Sequence, residues 1–142
     1  MLRLILTIAL ICLAQMHVDG KEKEKMPDEA VPKYLYKVLS VQNVEESLRS
    51  PVLKLPPEDD RFIHLAKKEQ LEQIIDKYWN NSPKFFILKI DTEKLPGKLV
   101  FEANPGGKSK YYHLYNGSIP LNAIVESRPI TRRPPIKTGN KK

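Results

Sequence analysis

A single cysteine, Cys12, serves a chain of 142 residues. One thiol closes no intramolecular disulfide, and it builds neither a cysteine-type zinc site nor a paired-thiol redox centre. Histidine is nearly as scarce: His17, His64 and His113 are all there are. The chain has no His-Glu-x-x-His zinc motif, no Gly-x-Ser-x-Gly elbow, no P-loop and no dinucleotide fingerprint. Ala66 and Tyr115 stand two residues after His64 and His113, where a histidine-pair phosphoesterase would carry Ser or Thr. Glu102 is available as a third ligand to the two histidines, but the spacing of a metal site is missing and no metal is expected. Asn104-Pro105-Gly106-Gly107 holds a single glycine pair, a turn signal and a weak phosphate cradle.

Long apolar runs are also lacking. The one extended run, Leu4 to Ala14, is about half of the ~20 residues a spanning helix needs. It follows Arg3 and precedes Val18-Asp19-Gly20, the layout of a secretory signal peptide over residues 1–20. The competing reading, an uncleaved membrane anchor, requires a longer run. The expectation is therefore a secreted, soluble mature chain with no cysteine and two histidines.

Charge is unevenly placed. The net charge is +7, yet Arg128, Arg132, Arg133, Lys137, Lys141 and Lys142 all follow Ser127, with no acid among them. The rest is nearly neutral, so a nucleic-acid surface is not indicated. Residues 128–142 read as a disordered basic tail, suited to contact with polyanions such as glycosaminoglycans or anionic lipid. Residues 21–33 alternate Lys and Glu, contain Pro27 and Pro32, and read as a charged linker. This leaves residues 34–127 as the core domain.

Within the core, Tyr34 to Leu39 alternates as a strand, with Leu35, Lys37 and Leu39 on one face. Ser40 is placed to cap a short helix from Val41 to Arg49, which Ser50-Pro51 ends. The proline-rich stretch from Val52 to Asp60 reads as a loop, and Phe62 to Leu65 as a short strand. From Lys67 to Trp79, Leu71, Ile74, Ile75, Tyr78 and Trp79 recur at helical spacing, one apolar stripe. Glu69 suits the third position of a capping box, but Ala66 at the cap has no acceptor. Phe85 to Ile90 is apolar on both faces, as in a central strand. Strands then follow at Leu99 to Ala103, Tyr111 to Tyr115 and Ala123 to Ser127. Helices early and strands late predict an α+β domain.

The residues suited to chemistry sit on these strands. Alternation puts His113 with Tyr111 and Tyr115, opposite the core-directed Tyr112 and Leu114. His64 shares a face with Phe62 and Ala66. Histidine transfers protons near neutral pH, so His64 and His113 opening onto one cleft would make a catalytic pair. The plainer reading makes each a satisfied, partly buried residue that pins a strand. Lys37 and Glu102 are charges inside apolar strands, either solvent-facing or lining a cleft. Asn80-Asn81-Ser82 and Asn116-Gly117-Ser118 are glycosylation sequons, with Asn80 and Asn116 as acceptors.

Between Tyr36 and Val125 the chain resembles the domain of unknown function 952 family. The resemblance rests on Tyr36-Lys37-Val38-Leu39-Ser40, Phe62-Ile63-His64-Leu65, Leu88-Lys89-Ile90-Asp91 and Leu99-Val100-Phe101-Glu102. Gly106-Gly107, His113-Leu114-Tyr115 and Pro120-Leu121 complete it. The chain departs at Ala66, where the family tends to have Ser, at Arg61 in place of Gly, and in a longer Tyr115–Pro120 segment. The resemblance implies two small, mostly antiparallel sheets with two helices, similar to the ADP-ribosyltransferase-like fold, in which NAD binds between the sheets. It implies a nucleotide-sized pocket with NAD as the candidate cofactor and His64 and His113 as catalytic residues. Lys37, Glu102 and Tyr115 would bind substrate, Tyr115 by stacking, and the reaction would be transfer or hydrolysis at a glycosidic bond. The alternative is a secreted, non-catalytic binding module.

Overall fold

The computed structural model describes residues 30–132. The expected signal peptide, residues 21–29 of the linker and residues 133–142 of the basic tail lie outside them. Six strands and two helices form in the order β1 (Tyr34–Ser40), α1 (Val41–Ser47), β2 (Ile63–Leu65), α2 (Leu71–Tyr78), β3 (Lys84–Asp91), β4 (Lys98–Ala103), β5 (Lys110–Tyr115) and β6 (Ile124–Thr131). They build two three-stranded sheets, ordered β1-β3-β6 and β2-β5-β4, in which every pair is antiparallel. The expected α+β class with two small antiparallel sheets and two helices is what forms. No helix among the described residues is long and apolar enough to cross a membrane.

Alternation along each strand explains how the layers stack. On β1, Leu35 and Leu39 enter a core shared with Ile63 and Leu65 of β2 and Tyr112 and Leu114 of β5. Val38, on the other face, joins Phe85, Ile87 and Leu71 beneath α2. Phe85 and Ile87 meet the helix while Leu88 and Ile90 meet the second sheet, so β3 is apolar on both faces because both are covered. Each such Leu or Ile contributes about 1.5–3 kcal/mol relative to exposure. Besides that shared core, a backbone bridge joins the sheets: Tyr36 N donates to Ala66 O at 2.8 Å and Ala66 N donates back to Tyr36 O at 2.9 Å.

Local chemistry sets the element ends. Ser40 caps α1 as expected, its Oγ accepting from Asn43 N at 3.1 Å, but the helix stops at Ser47 rather than Arg49. Ser47 Oγ donates to Asn43 O and accepts from Lys54 N, which turns the chain at that point. The second helix begins as a 3-10 turn at Lys68–Gln70. Its cap is Lys67 rather than Ala66, and Gln70 rather than Glu69 reaches back, Oε1 accepting from Lys67 N at 2.9 Å. Tyr78, placed in the apolar stripe by spacing, is 59% exposed. Trp79, the last residue of that stripe, packs against the core instead.

The last strand runs beyond Ser127 to Thr131, so Arg128 to Thr131 belong to the sheet and not to a disordered tail. Arg128 pairs with Ile87 and Pro129 with Phe86. Proline fits because β6 is an edge strand and one side of it needs no N–H. Gly97 has φ +106°, and a Cβ there would lie 2.5 Å from Tyr115 O, so only glycine lets the β4 entry pass the end of β5.

Candidate functional site

A cleft of about 550 Å³ follows the outer edge of β1. Pro56, Glu58 and Asp59 form one wall and Ile74, Tyr78 and Trp79 of the α2 end form the other. His64, Asn104 and Tyr111 close it from the second sheet, and Lys37 lies at its base. Tyr36 and Ala66, which form the backbone bridge between the sheets, are both among its lining residues.

Asp59 is the organising residue, and sequence reasoning missed it. It ends a 3-10 turn, Pro57–Asp59, that Pro56 and Pro57 pre-set. Its side chain is 1% exposed. One oxygen, Oδ1, accepts from His64 N at 3.0 Å and stands 2.8 Å from His64 Nδ1. The other, Oδ2, is 2.6 Å from Lys37 Nζ, an ion pair by distance whose angles are not those of a directed hydrogen bond. Burial works to raise the Asp59 pKa, but the hydrogen bond from the His64 ring, the Lys37 charge and the His64 backbone hydrogen bond outweigh it and hold the carboxyl below its usual 3.8. Burial pushes the Lys37 amine down from its usual 10.5, and the Asp59 and Glu58 charges only partly offset this. The only sequence hint of Asp59 was Lys37 itself, a cation inside an apolar strand that requires a buried anion.

His64 is held on that carboxylate with its side chain 34% exposed. A carboxylate on Nδ1 fixes the tautomer that carries hydrogen there. Nε2 has no partner among the described residues and is the atom free to act on a ligand.

His113 is the cross-strand partner of His64, and the two ring centroids are 5.2 Å apart. The expected proximity of the pair is present, but only one of them opens to the cleft. Phe62 stacks on His113 at 4.1 Å and shuts it in, leaving it 0% exposed. Its Nδ1 is 3.0 Å from Glu102 Oε1, and its Nε2 is 2.8 Å from Asn104 Oδ1. Tyr115 Oη donates to the same Glu102 oxygen. That hydrogen bond first, then the one from His113, lowers the Glu102 pKa, and the bond to Glu102 raises that of Tyr115.

The expected site residues thus divide. His64 and Lys37 line the cleft. His113, Glu102 and Tyr115 form a second network behind Phe62, and Tyr115 has no cleft surface on which to stack a ligand. Asn104 belongs to both, lining the cleft while it meets His113 Nε2. The aromatic surface falls to Tyr36, Tyr78, Trp79 and Tyr111. The sequons lie outside both networks: Asn80 is exposed just past α2, and Asn116 is exposed with φ +50° after β5. Among the described residues no group of three or more His, Cys, Asp or Glu is placed to hold a metal ion.

Residues 38–127 match the family described as Protein of unknown function (DUF952). No curated protein matches the chain. Among solved structures, the crystal structure of protein CC0527 from Caulobacter crescentus is similar, with 24% identity and a TM-score of 0.61 over 70% of this chain and 88% of that one. Its solution NMR structure gives 23% identity and a TM-score of 0.61, covering 72% and 88%. At this identity the likeness is one of fold.

Proposed function

The chain belongs to the DUF952 family, and from that premise we propose that its cleft binds a small nucleotide-like ligand on which His64 transfers a proton. The observation that carries the reading is the His64 ring, clamped on buried Asp59 and open to an aromatic-walled cleft of about 550 Å³. That volume falls in the range of roughly 300–1,000 Å³ typical of ligand pockets. Tyr36, Tyr78, Trp79 and Tyr111 offer flat surfaces to a base or a nicotinamide ring.

In this reading Asp59 orients the His64 ring and fixes its tautomer, and Nε2 serves as general acid or base. The reaction class is transfer or hydrolysis at a glycosidic bond, with NAD as the candidate cofactor or substrate. Kinship with the ADP-ribosyltransferase-like fold belongs to the same proposal, supported by a cleft between two small antiparallel sheets. His113 is a positioning residue: it holds Asn104 at the cleft and supports His64 from the neighbouring strand. Glu102 and Tyr115 hold His113.

Titration of the full chain with ADP-ribose and with NAD, followed by heat, tests the reading. Binding is expected and should weaken in His64→Ala and Asp59→Asn. Absence of binding at millimolar ligand by folded protein overturns it.

Secretion and glycosylation are further parts of the proposal, supported by the leader-like residues 1–20 and by the exposure of Asn80 and Asn116. Mass spectrometry of protein recovered from the medium of a eukaryotic host checks both the N-terminus and the two asparagines.

A second reading, a non-catalytic module that contacts polyanions, is favoured by the basic residues after Ser127. Because Arg128 to Thr131 are part of β6, the informative truncation removes only residues 133–142. Retention on heparin should then fall sharply; unchanged retention counts against the module.

A further inference from the structure

We propose that Lys37 is a covalent carbonyl-binding site, its Nζ condensing with the aldehyde of a ring-opened sugar held in the cleft. The inference rests on the small-ligand reading of that cleft and goes beyond proton transfer by His64.

Lysine is rarely buried, and a buried one needs an explanation. Lys37 is 7% exposed, on the β1 face that carries Leu35 and Leu39, at 0% and 1%. An ammonium has three hydrogens to place. Asp59, at 2.6 Å, is its ion-pair partner among the described residues. A pair serving stability alone would be sealed in the core, yet Lys37 and Asp59 both line the open cleft. Burial shifts the amine toward its neutral form, the form that attacks a carbonyl.

The partners for the rest of the chemistry are in place. Asp59 presents one oxygen to Lys37 and the other to His64, so a single carboxylate connects the nucleophile to the proton carrier. In the first step Asp59 takes a proton from the ammonium. The free amine lone pair then attacks the aldehyde carbon, a C–N bond forms, and the carbonyl oxygen becomes the hydroxyl of a carbinolamine after a proton moves to it from nitrogen. The proton held by Asp59 protonates that hydroxyl, while His64 keeps the carboxyl in place through its Nδ1 hydrogen bond. The C–O bond breaks, water leaves, and the nitrogen lone pair forms the C=N bond of the iminium. One ammonium and one aldehyde give one iminium and one water, with no oxidant or reductant consumed.

The substrate class follows from the cleft. Cleavage of a nucleotide-type glycosidic bond frees an anomeric carbon, and the open form of the resulting aldose carries an aldehyde. The aromatic walls would hold the sugar or an attached base while Lys37 captures that carbon.

The test incubates the full chain with ribose 5-phosphate and sodium cyanoborohydride, which reduces an imine to a stable amine. Glu-C peptides are then mapped by mass spectrometry. Label on Lys37 should exceed that on exposed Lys33 and Lys68 by about tenfold or more, and His64→Ala should lower it by a similar factor. Lys37→Arg keeps the charge opposite Asp59 but forms no imine, so it should melt like the wild type and lose the cleft label. If that variant does not fold, the wild-type map decides alone. Label that follows exposure across all lysines overturns the proposal. ADP-ribose binding without Lys37 label overturns the imine and leaves the ligand reading standing. Lys37 label without ADP-ribose binding does the reverse, and absence of both overturns both.

Discussion

His64 and His113 are the same residue type at directly opposed positions on neighbouring strands, each with a carboxylate oxygen at Nδ1, yet they differ in burial and in what their Nε2 atoms meet. His64 lies beside a buried carboxylate that also holds a lysine, and one of its ring nitrogens is open to a cleft. His113 has an acceptor at each ring nitrogen and an aromatic ring over its face. Burial alone does not distinguish a working group from a structural one, since Asp59 is as deeply buried as His113. What distinguishes them is whether an atom of the network remains unpaired and reachable. The Lys37–Asp59–His64 group leaves such an atom in the cleft, whereas the Glu102–Tyr115–His113–Asn104 group presents only Asn104 there, its 39% exposed Glu102 lying outside the cleft.

The largest way to break this contrast is Asp59→Ala. It strands the Lys37 charge in a buried place and releases the His64 ring. Removal of one partner of a buried pair costs about 3–5 kcal/mol, and urea unfolding should register a loss of that size. The double variant with Lys37→Met should recover much of it, because the uncompensated charge is then gone.

Next is Phe62→Ala, which lifts the cover from His113. Phe62 is only half-buried, so its loss should fall below the ~3–5 kcal/mol of a fully buried Phe→Ala. Diethylpyrocarbonate should modify His64 but not His113 in the wild type, and both in the variant. Equal reactivity of the two histidines in the wild type would erase the contrast.

The pH dependence of stability sharpens it further. The folded Asp59 pKa is below 3.8, so the unfolded chain binds more protons between the two values. Asp59 therefore contributes stability above 3.8 that is lost as pH falls through its folded value. The melting temperature should drop over that range, with a shallower slope in Asp59→Asn. Lys37 has the same sign at the other end of the scale: with its folded pKa below 10.5, stability gains as pH rises toward that value.

The smallest effect is expected from Glu102→Gln. The amide oxygen still accepts from Tyr115, and the side chain is 39% exposed, so the melt should move less than in any variant above. The Tyr115 phenol should ionise at lower pH, nearer its ordinary 10.0, because the carboxylate that raised it is gone. Ultraviolet titration of the tyrosines reads this shift.

Most strands and both helices were legible from spacing, because alternation and the 3.6-residue period are properties of adjacent residues. Alternation set His113 opposite Tyr112 and Leu114, and the fold keeps it there. It could not show that Phe62 closes over that face, since stacking needs the neighbouring strand in register. Lys37 stood out as a cation among apolar residues, but its anion was hidden in a proline-flanked acidic run, Glu58-Asp59-Asp60, that reads as a solvated loop. The strand that continues to Thr131 was hidden for a related reason. Arg128 and Pro129 look like the start of a tail until β3 offers them a partner.

The amino-acid sequence by itself determined the α+β class, the face on which each histidine lies and the presence of an unusual lysine in a core strand. Those follow from local periodicity and from the cost of burying charge. Tertiary structure alone decided that Asp59 joins Lys37 to His64, that Phe62 seals His113, and that Glu102 and Tyr115 stand behind the cleft and not in it. Each of these is a contact between elements, fixed by how the two sheets meet at Tyr36 and Ala66, and no local pattern encodes that meeting.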